Sequence, residues 1–182
     1  MTEKRNDASC VISDINKLAM DWAREHAGER LGTKWYDGEA STEPSEKCPV
    51  SESVRLAVRQ IITDAFSHEG PMSELVERIR VAAGISILDD ERAQLIADTE
   101  VKFAMAYGNL EAWKRTNIVK SVKWLKSMLH TERDVCDLNA EAGAIPLGQP
   151  FPSGDEAPPA HPRCRCTIAI AELNGPKRRA VP

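Results

Sequence analysis

Three of the chain's five cysteines and one of its four histidines stand where they could share one ion. The stretch "PPAHPRCRC", residues 158 to 166, holds His161, Cys164 and Cys166. In an extended segment, side chains two apart point to the same side, so Cys164 and Cys166 present both sulfurs to one pocket. Pro162 limits the backbone after His161, and a tight turn there brings the imidazole to the same point. Cys136, one loop upstream, is the natural fourth ligand. Three thiolates and one imidazole form a closed tetrahedral shell of the kind that structural zinc takes. The loop from 136 to 161 is rich in Gly and Pro and poor in apolar residues, so a bound zinc would fasten a segment with little core of its own.

Other chemistry is open to the same residues. Oxidation could join Cys136 to Cys164 or Cys166, although a reducing cytoplasm disfavours it. A cysteine nucleophile with His161 as base would need an oxyanion site and an orienting acid, and the sequence marks neither. A catalytic zinc would need an open position and a general base. Glu132, Asp134 and Asp137 are at hand, but none has a diagnostic spacing. An ordinary turn without metal is the remaining alternative, since a second C-x-x-C is missing.

The elements that must position this cluster are mainly helical. Residues 13 to 30 read as an amphipathic helix capped by Ser13 or Asp14, with Ile15, Leu18, Ala19 and Trp22 on one face and His26 as a half-buried packing residue. "GTKWYDGEASTEPSEKCP" follows and reads as a linker containing a bystander thiol, Cys48. A second helix starts at Ser51 or Ser53 and ends by Gly70, and a third runs from Pro71 to Gly84, the two forming a hairpin. The longest helix begins near Asp89 or Asp90 and runs toward Lys114. Glu100 falls inside its apolar stripe, where a buried carboxylate needs an arginine or a backbone group to cap, or must take up a proton.

Beyond Asn117 the pattern changes. "IVKSVKWLKSM" reads as a strand with Ser121 and Lys123 on the wet face and Val122 and Trp124 inside, and "CTIAIAEL" as a second strand. A loop-rich stretch from 130 to 163 separates them, and "GPKRRAVP", residues 175 to 182, forms a basic tail. The expected fold class is therefore α+β and mainly α-helical: a helical bundle or hairpin, then a small β element and a Cys/His-rich loop.

Composition narrows the function classes. The 182 residues suit one domain, and 42% apolar content can fill a core. A net charge of -4 argues against a whole-surface nucleic-acid binder. No run approaches the length needed to cross a bilayer and "MTEKRNDASCVISD" lacks a signal-peptide core, so no membrane contact and a cytoplasmic setting are expected.

Taken in order, "ERAQLIADTEVKFAMAYGNLEAW", "VKSVKWL", "RDVCDLNAEAGAIPLGQPF" and "PPAHPRCRCTI" resemble the phage head morphogenesis family, the minor head proteins of the phage Mu F type. The resemblance covers roughly residues 52 to 172. It divides the chain into an N-terminal helix and linker (1–50), a Mu F-like domain (51–174) and the basic tail (175–182). Two departures stand out. Family members often carry Ile-Ala-Arg-Thr-Glu where this chain has Ile96-Ala97-Asp98-Thr99-Glu100, so no role of that arginine carries over. Many also have Cys-x-x-Cys in the turn, of which only Cys136 remains; Arg133 stands at the first position, or Asn139 at the lost one under another alignment.

The resemblance implies a non-enzymatic protein of the virion or procapsid, made in the bacterial host cytoplasm. It would act near the portal in head morphogenesis and DNA packaging, with portal and capsid proteins and phage DNA as partners. A reading from a different class is a small zinc-knuckle module that binds nucleic acid or a host protein. Its patch would be Lys120, Lys123, Trp124 and Lys126, extended by Lys114 and Arg115. Lysines on an edge strand can also serve only to block sheet-to-sheet pairing. A hydrolase using His161 with Cys164 or a zinc-bound water is the third.

Overall fold

The computed structural model describes residues 8–68, 70–84, 88–128 and 133–174, with side chains from residue 14 onward. Glu132 and the basic tail lie outside them. Five helices and a small sheet follow one another along the chain. The α+β, mainly helical architecture expected from the sequence is what forms.

α1 spans Ala8–His26, starting upstream of the expected Ser13 or Asp14 cap. α2, Glu52–Ala65, is capped by Ser51, whose side chain accepts from the Val54 N–H. α3, Met72–Ala83, has Pro71 as its N-cap and ends at Gly84. α4, Asp90–Thr116, begins at Asp89, which accepts the Arg92 N–H, and ends at Asn117 in the left-handed conformation. The starts of α2 and α4 sit where a cap side chain supplies a hydrogen bond that a helix end lacks, whereas Pro71 makes no side-chain cap bond.

The four helices pack around one apolar cluster. α1 lies along α4, and α3 packs against both α2 and α4. Ala19, Ala23 and Ala27 are fully buried at i, i+4 spacing, and their small side chains let α1 approach α4 closely. The contact is tightest at Gly108, where an added Cβ would lie 2.8 Å from the Ala19 backbone nitrogen.

The stretch expected as a linker is part of this core. Lys34–Asp37 makes a 3-10 turn that buries Trp35 and Tyr36, and half-buried Cys48 packs against the same cluster. Two aromatic side chains outweighed the local Gly, Ser and Pro content, because each removes a large apolar area from water. Tyr36 also reaches Glu100. Its hydroxyl donates to Oε1 at 2.6 Å, and the Gly28 N–H donates to Oε2 at 3.0 Å. Gly28 has φ +81°, a left-handed conformation that glycine adopts without strain. Glu100 thus caps a backbone N–H and a tyrosine, with no direct ion pair. Burial lifts its carboxyl above the usual carboxylate range, and the two donors offset part of that rise. His26 lies half-buried, as expected, stacked on Trp22 with Glu25 and Glu29 beside it.

After α4 the chain forms β1, Val119–Leu125, which is the central strand of a sheet ordered β2-β1-β3. β2 is Ala144–Pro146 and β3 is Thr167–Leu173, both antiparallel to β1. β1 is therefore no edge strand, and its lysines guard no open edge. The register shifts between Ser121 and Val122. That irregularity turns both Val119 and Ser121 inward before it and both Val122 and Trp124 inward after it, so Ser121 is buried instead of wet. α5, Val135–Glu141, forms inside the stretch from 130 to 163 that reads as loop-rich. Among the described residues, no helix is long and apolar enough to cross a membrane.

Two predictions follow from this packing. Gly108→Ala gains about 1 kcal/mol of helix propensity, but the clash is with backbone that cannot step aside, at a typical cost of about 1–3 kcal/mol. We expect a lower melting temperature by circular dichroism, and a larger drop for Gly108→Val. For Glu100, the folded state holds the proton more tightly than the unfolded chain does. Its stabilising contribution is complete below the ordinary carboxylate pKa and is lost as pH rises through the raised folded value. Denaturation of Glu100→Gln across acid to neutral pH should show the variant gaining on the parent as pH rises. Glu100→Leu should lose about 1–3 kcal/mol for each donor left unpaired.

Candidate metal centre

α5 sets the first ligand in place. Asp134 accepts the Cys136 N–H at 2.7 Å, while the Asp134 N–H donates to Asp137 Oδ2 at 2.9 Å, a reciprocal cap at the start of a seven-residue helix. That cap turns Cys136 into the apolar cluster between sheet and α4, where it is fully buried. Asn139, one turn along, is also fully buried. It clasps Ser153, accepting its N–H and donating to its hydroxyl, both at 2.9 Å. The loop that leads toward His161 is thereby tied to α5.

The second part of the site arrives on the segment before β3. Cys164 and Cys166 are both buried, with Arg165 exposed between them and Arg163 exposed before them, as two-residue spacing requires. Lys102 on α4 donates to the Cys164 carbonyl at 2.8 Å, and Arg30 pairs with Asp155 at 3.0 Å. The ligand segment is thus bolted to the helical core.

The ligand atoms of Cys136, His161 and Cys164 all lie within 4.8 Å of one another. The Cys136 and Cys164 sulfurs are 3.6 Å apart and carry free thiols. A disulfide needs about 2.05 Å, whereas zinc–sulfur bonds of about 2.3 Å put the edge of a regular tetrahedron at about 3.8 Å. The observed separation matches the second. Of the four expected ligands, three meet here. Cys166 lies outside the trio, with its sulfur beside the Cys136 thiol and within reach of the Ser127 backbone N–H and the Trp124 indole.

The electrostatics of the cluster call for a positive charge. The His161 Nδ1 lies 2.8 Å from the Pro162 carbonyl, which fixes the proton on that nitrogen. Nε2 is enclosed and makes no aligned hydrogen bond, yet Asp134 Oδ2 stands 3.1 Å away. A lone pair facing a carboxylate is repulsive unless a cation lies between them. A proton or a metal ion serves. Accordingly His161 titrates higher than usual, chiefly through the Cys164 sulfur beside it, against the opposing effect of burial. The hydrogen bond from the Cys136 thiol, helped by His161, pulls Cys164 down to about 4. Cys136 keeps its proton because it donates to Cys164 and is buried, and burial also pushes Cys166 up. One thiolate, one imidazole and two further thiols thus stand ready to exchange protons for an ion.

His161 and Asp134 also form part of the wall of a cleft of about 990 Å³ that runs to Arg30, Trp35 and Arg92 on the helical side. Its cations are largely spoken for, since Arg30 pairs with Asp155 and Arg92 with Asp37. The lysine patch expected to meet nucleic acid does not assemble. Trp124 is buried edge-on against Phe151, so its face is closed to a base. Lys120 pairs with Glu172 and Lys126 with Asp137, which leaves Lys123 exposed on the strand. Sequence reasoning missed Asp134 as the partner of His161 and Asn139 as the clasp. The D-x-x-D spacing before an apolar run was the available signal for the first; for Asn139, whose partner is fourteen residues on, there was none.

No protein-family model matches this chain, and neither a curated protein nor a solved structure shows significant similarity to it.

Asp134 both caps the helix that carries Cys136 and faces His161. By fixing the helix end that carries Cys136 it acts as an orienting partner of a ligand, and such partners typically contribute about 10–100-fold to metal affinity. Asp134→Ala should weaken zinc binding by that order in competition titrations with a chromogenic chelator, while the far-ultraviolet spectrum stays that of a folded helical protein.

Proposed function

We propose that this chain is a non-enzymatic structural protein of tailed-phage head assembly, acting at the portal end of the procapsid, whose C-terminal module is held closed by one zinc ion. The observation that carries the zinc part is the meeting of Cys136, His161 and Cys164 within 4.8 Å. Soft thiolates with an imidazole suit zinc better than a hard cation. Cys166 completes the shell by a side-chain rotation, since it is buried next to the Cys136 sulfur. A structural ion is favoured over a catalytic one because the sulfurs face an apolar cluster, with Cys136 and Cys164 at most 2% exposed.

Support for the head-assembly part comes from the ordered motifs in α4, β1, the Cys136 turn and the terminal Cys/His segment. The helical half would then be the docking surface and the zinc module the brace that keeps the C-terminal loop and sheet rigid. Portal, capsid proteins and packaged DNA are the partners this reading requires.

Two measurements test the two parts separately. Elemental analysis of purified protein should give about one zinc per chain, lost together with cooperative folding of the C-terminal module in Cys164→Ser. Full stability in chelator, with all thiols reactive, would remove the zinc. Quantitative mass spectrometry of procapsids and mature particles should find the chain with portal protein at a low ratio. Its absence from both, in a culture where the free protein is abundant, would remove the head-assembly role and leave the metal module standing.

A further inference from the structure

The sulfur cluster can be oxidised as well as bind an ion, because its cysteines are free. Cys136 and Cys164 sit 3.6 Å apart, both buried, with Cys166 beside Cys136. They come from opposite ends of the module. Cys136 is on α5 and Cys164 on the segment entering β3, bolted to α4 through the Lys102 contact to its carbonyl. A covalent bond between these two sulfurs would close the same 28-residue span that the ion closes. The sulfurs would have to approach by about 1.5 Å to reach bonding distance, a displacement within side-chain rotation.

We propose that the centre is a redox-exchangeable staple: oxidation by a peroxide-class oxidant expels the metal and joins Cys136 to Cys164, so the module stays closed in either state. The inference rests on the zinc reading above and is independent of the head-assembly reading.

The chemistry balances. The Cys164 sulfur attacks one oxygen of hydrogen peroxide and the O–O bond breaks. Cys164 becomes a sulfenic acid, and the departing hydroxide takes a proton to leave as water. The Cys136 sulfur then attacks the sulfenic sulfur, forming the S–S bond and expelling a second hydroxide, which leaves as water on taking another proton. Two electrons pass from the sulfur pair to the peroxide. In the metal-free protein one proton comes from the Cys136 thiol and the other from solvent, because Cys164 is already a thiolate. In the zinc form solvent supplies both, as the ion departs with its two positive charges once it has lost two thiolate ligands.

The geometry selects this pair over its neighbours. Cys164 and Cys166 flank a single residue on one strand segment, and their disulfide would crosslink nothing. Cys166 also lies beside the Cys136 sulfur, but it is outside the trio and held toward Trp124 and Ser127, whereas Cys164 already faces Cys136 at 3.6 Å. The cleft beside the helical half reaches His161, whose ring nitrogen lies within 4.8 Å of both sulfurs, so an oxidant entering it comes within one side chain of them.

The test uses the full chain, zinc-loaded and metal-free, treated with equimolar hydrogen peroxide, then alkylated and mapped without reduction. The expected result is a mass loss of two hydrogens and a Cys136–Cys164 linked peptide, with Cys10 and Cys48 alkylated. Zinc release, read with a chromogenic chelator, should match disulfide formed one for one and reverse on adding dithiothreitol and zinc. Limited proteolysis of the 142–160 loop should be as slow in the oxidised protein as in the zinc form, and faster in the reduced metal-free form. Cys166→Ser should still form the bond, whereas Cys136→Ser should stop at a sulfenic acid that dimedone traps. Dominant Cys136–Cys166 or Cys164–Cys166 linkage would overturn the proposal. So would addition of oxygen to Cys164 without any disulfide, or an oxidised loop as open to protease as the reduced one. A chain that binds no zinc yet forms the Cys136–Cys164 bond would sink the zinc reading, and with it the exchange, leaving a disulfide staple distinguishable from both.

Discussion

One helix carries both halves of this protein. α4 contributes Ala93, Ile96, Phe103 and Ala104 to the helical core and, further along, Leu110 to the core beneath the sheet. With a rise of about 1.5 Å per residue, its 27 residues give a rod of roughly 40 Å. Helix–helix packing at one end is therefore rigidly connected to the position of the sulfur cluster at the other. Lys102, midway along, holds the Cys164 carbonyl directly. If α4 shifted against α1, the ligand segment would have to follow, and the Gly108–Ala19 contact sets how close those two helices lie.

The two cores solve different problems. The helical core is a conventional apolar cluster with one buried acid, and that acid is satisfied by donors from elements 64 and 72 residues away. Its interactions hold the N-terminal segment against α4 and explain why Trp35 and Tyr36 are buried. The second core is small and made partly of sulfur. Cys136, Cys164 and Cys166 occupy positions that aliphatic side chains would take in a larger sheet protein. Structural zinc sites commonly contribute apparent binding free energies of about 10–16 kcal/mol, far more than three small side chains gain by burial alone. The cluster is laid out accordingly: a capped helix end, a clasped loop and a lysine-anchored strand entry converge on the sulfurs.

The same layout separates structure from chemistry. A catalytic ion needs an open coordination position and a base facing it. Here the carboxylate nearest His161 is already engaged in capping α5, and the sulfurs lie on the apolar side. The cleft on the other side of His161 is lined by cations whose charges are mostly met by neighbouring acids.

Local signals determined much of this protein. Ser51, Pro71 and Asp89 open their helices where caps predict, because a cap satisfies backbone groups within three or four residues. The inward pair Cys164 and Cys166 follows from strand periodicity, and Cys136 and His161 were legible as ligand types. Only the tertiary structure decided the rest. Tyr36 and Gly28 meet Glu100 across most of the helical core, which no local pattern encodes. A stretch rich in Gly, Ser and Pro packed because its two aromatic rings found a cavity between helices that lie elsewhere in sequence. The irregularity at Ser121 reversed the face of half a strand, since β1 had to match two partners of different register at once. Residue type and spacing named the candidate ligands; packing over long sequence separations decided that Cys136, His161 and Cys164 would meet and that Cys166 would lie outside the trio.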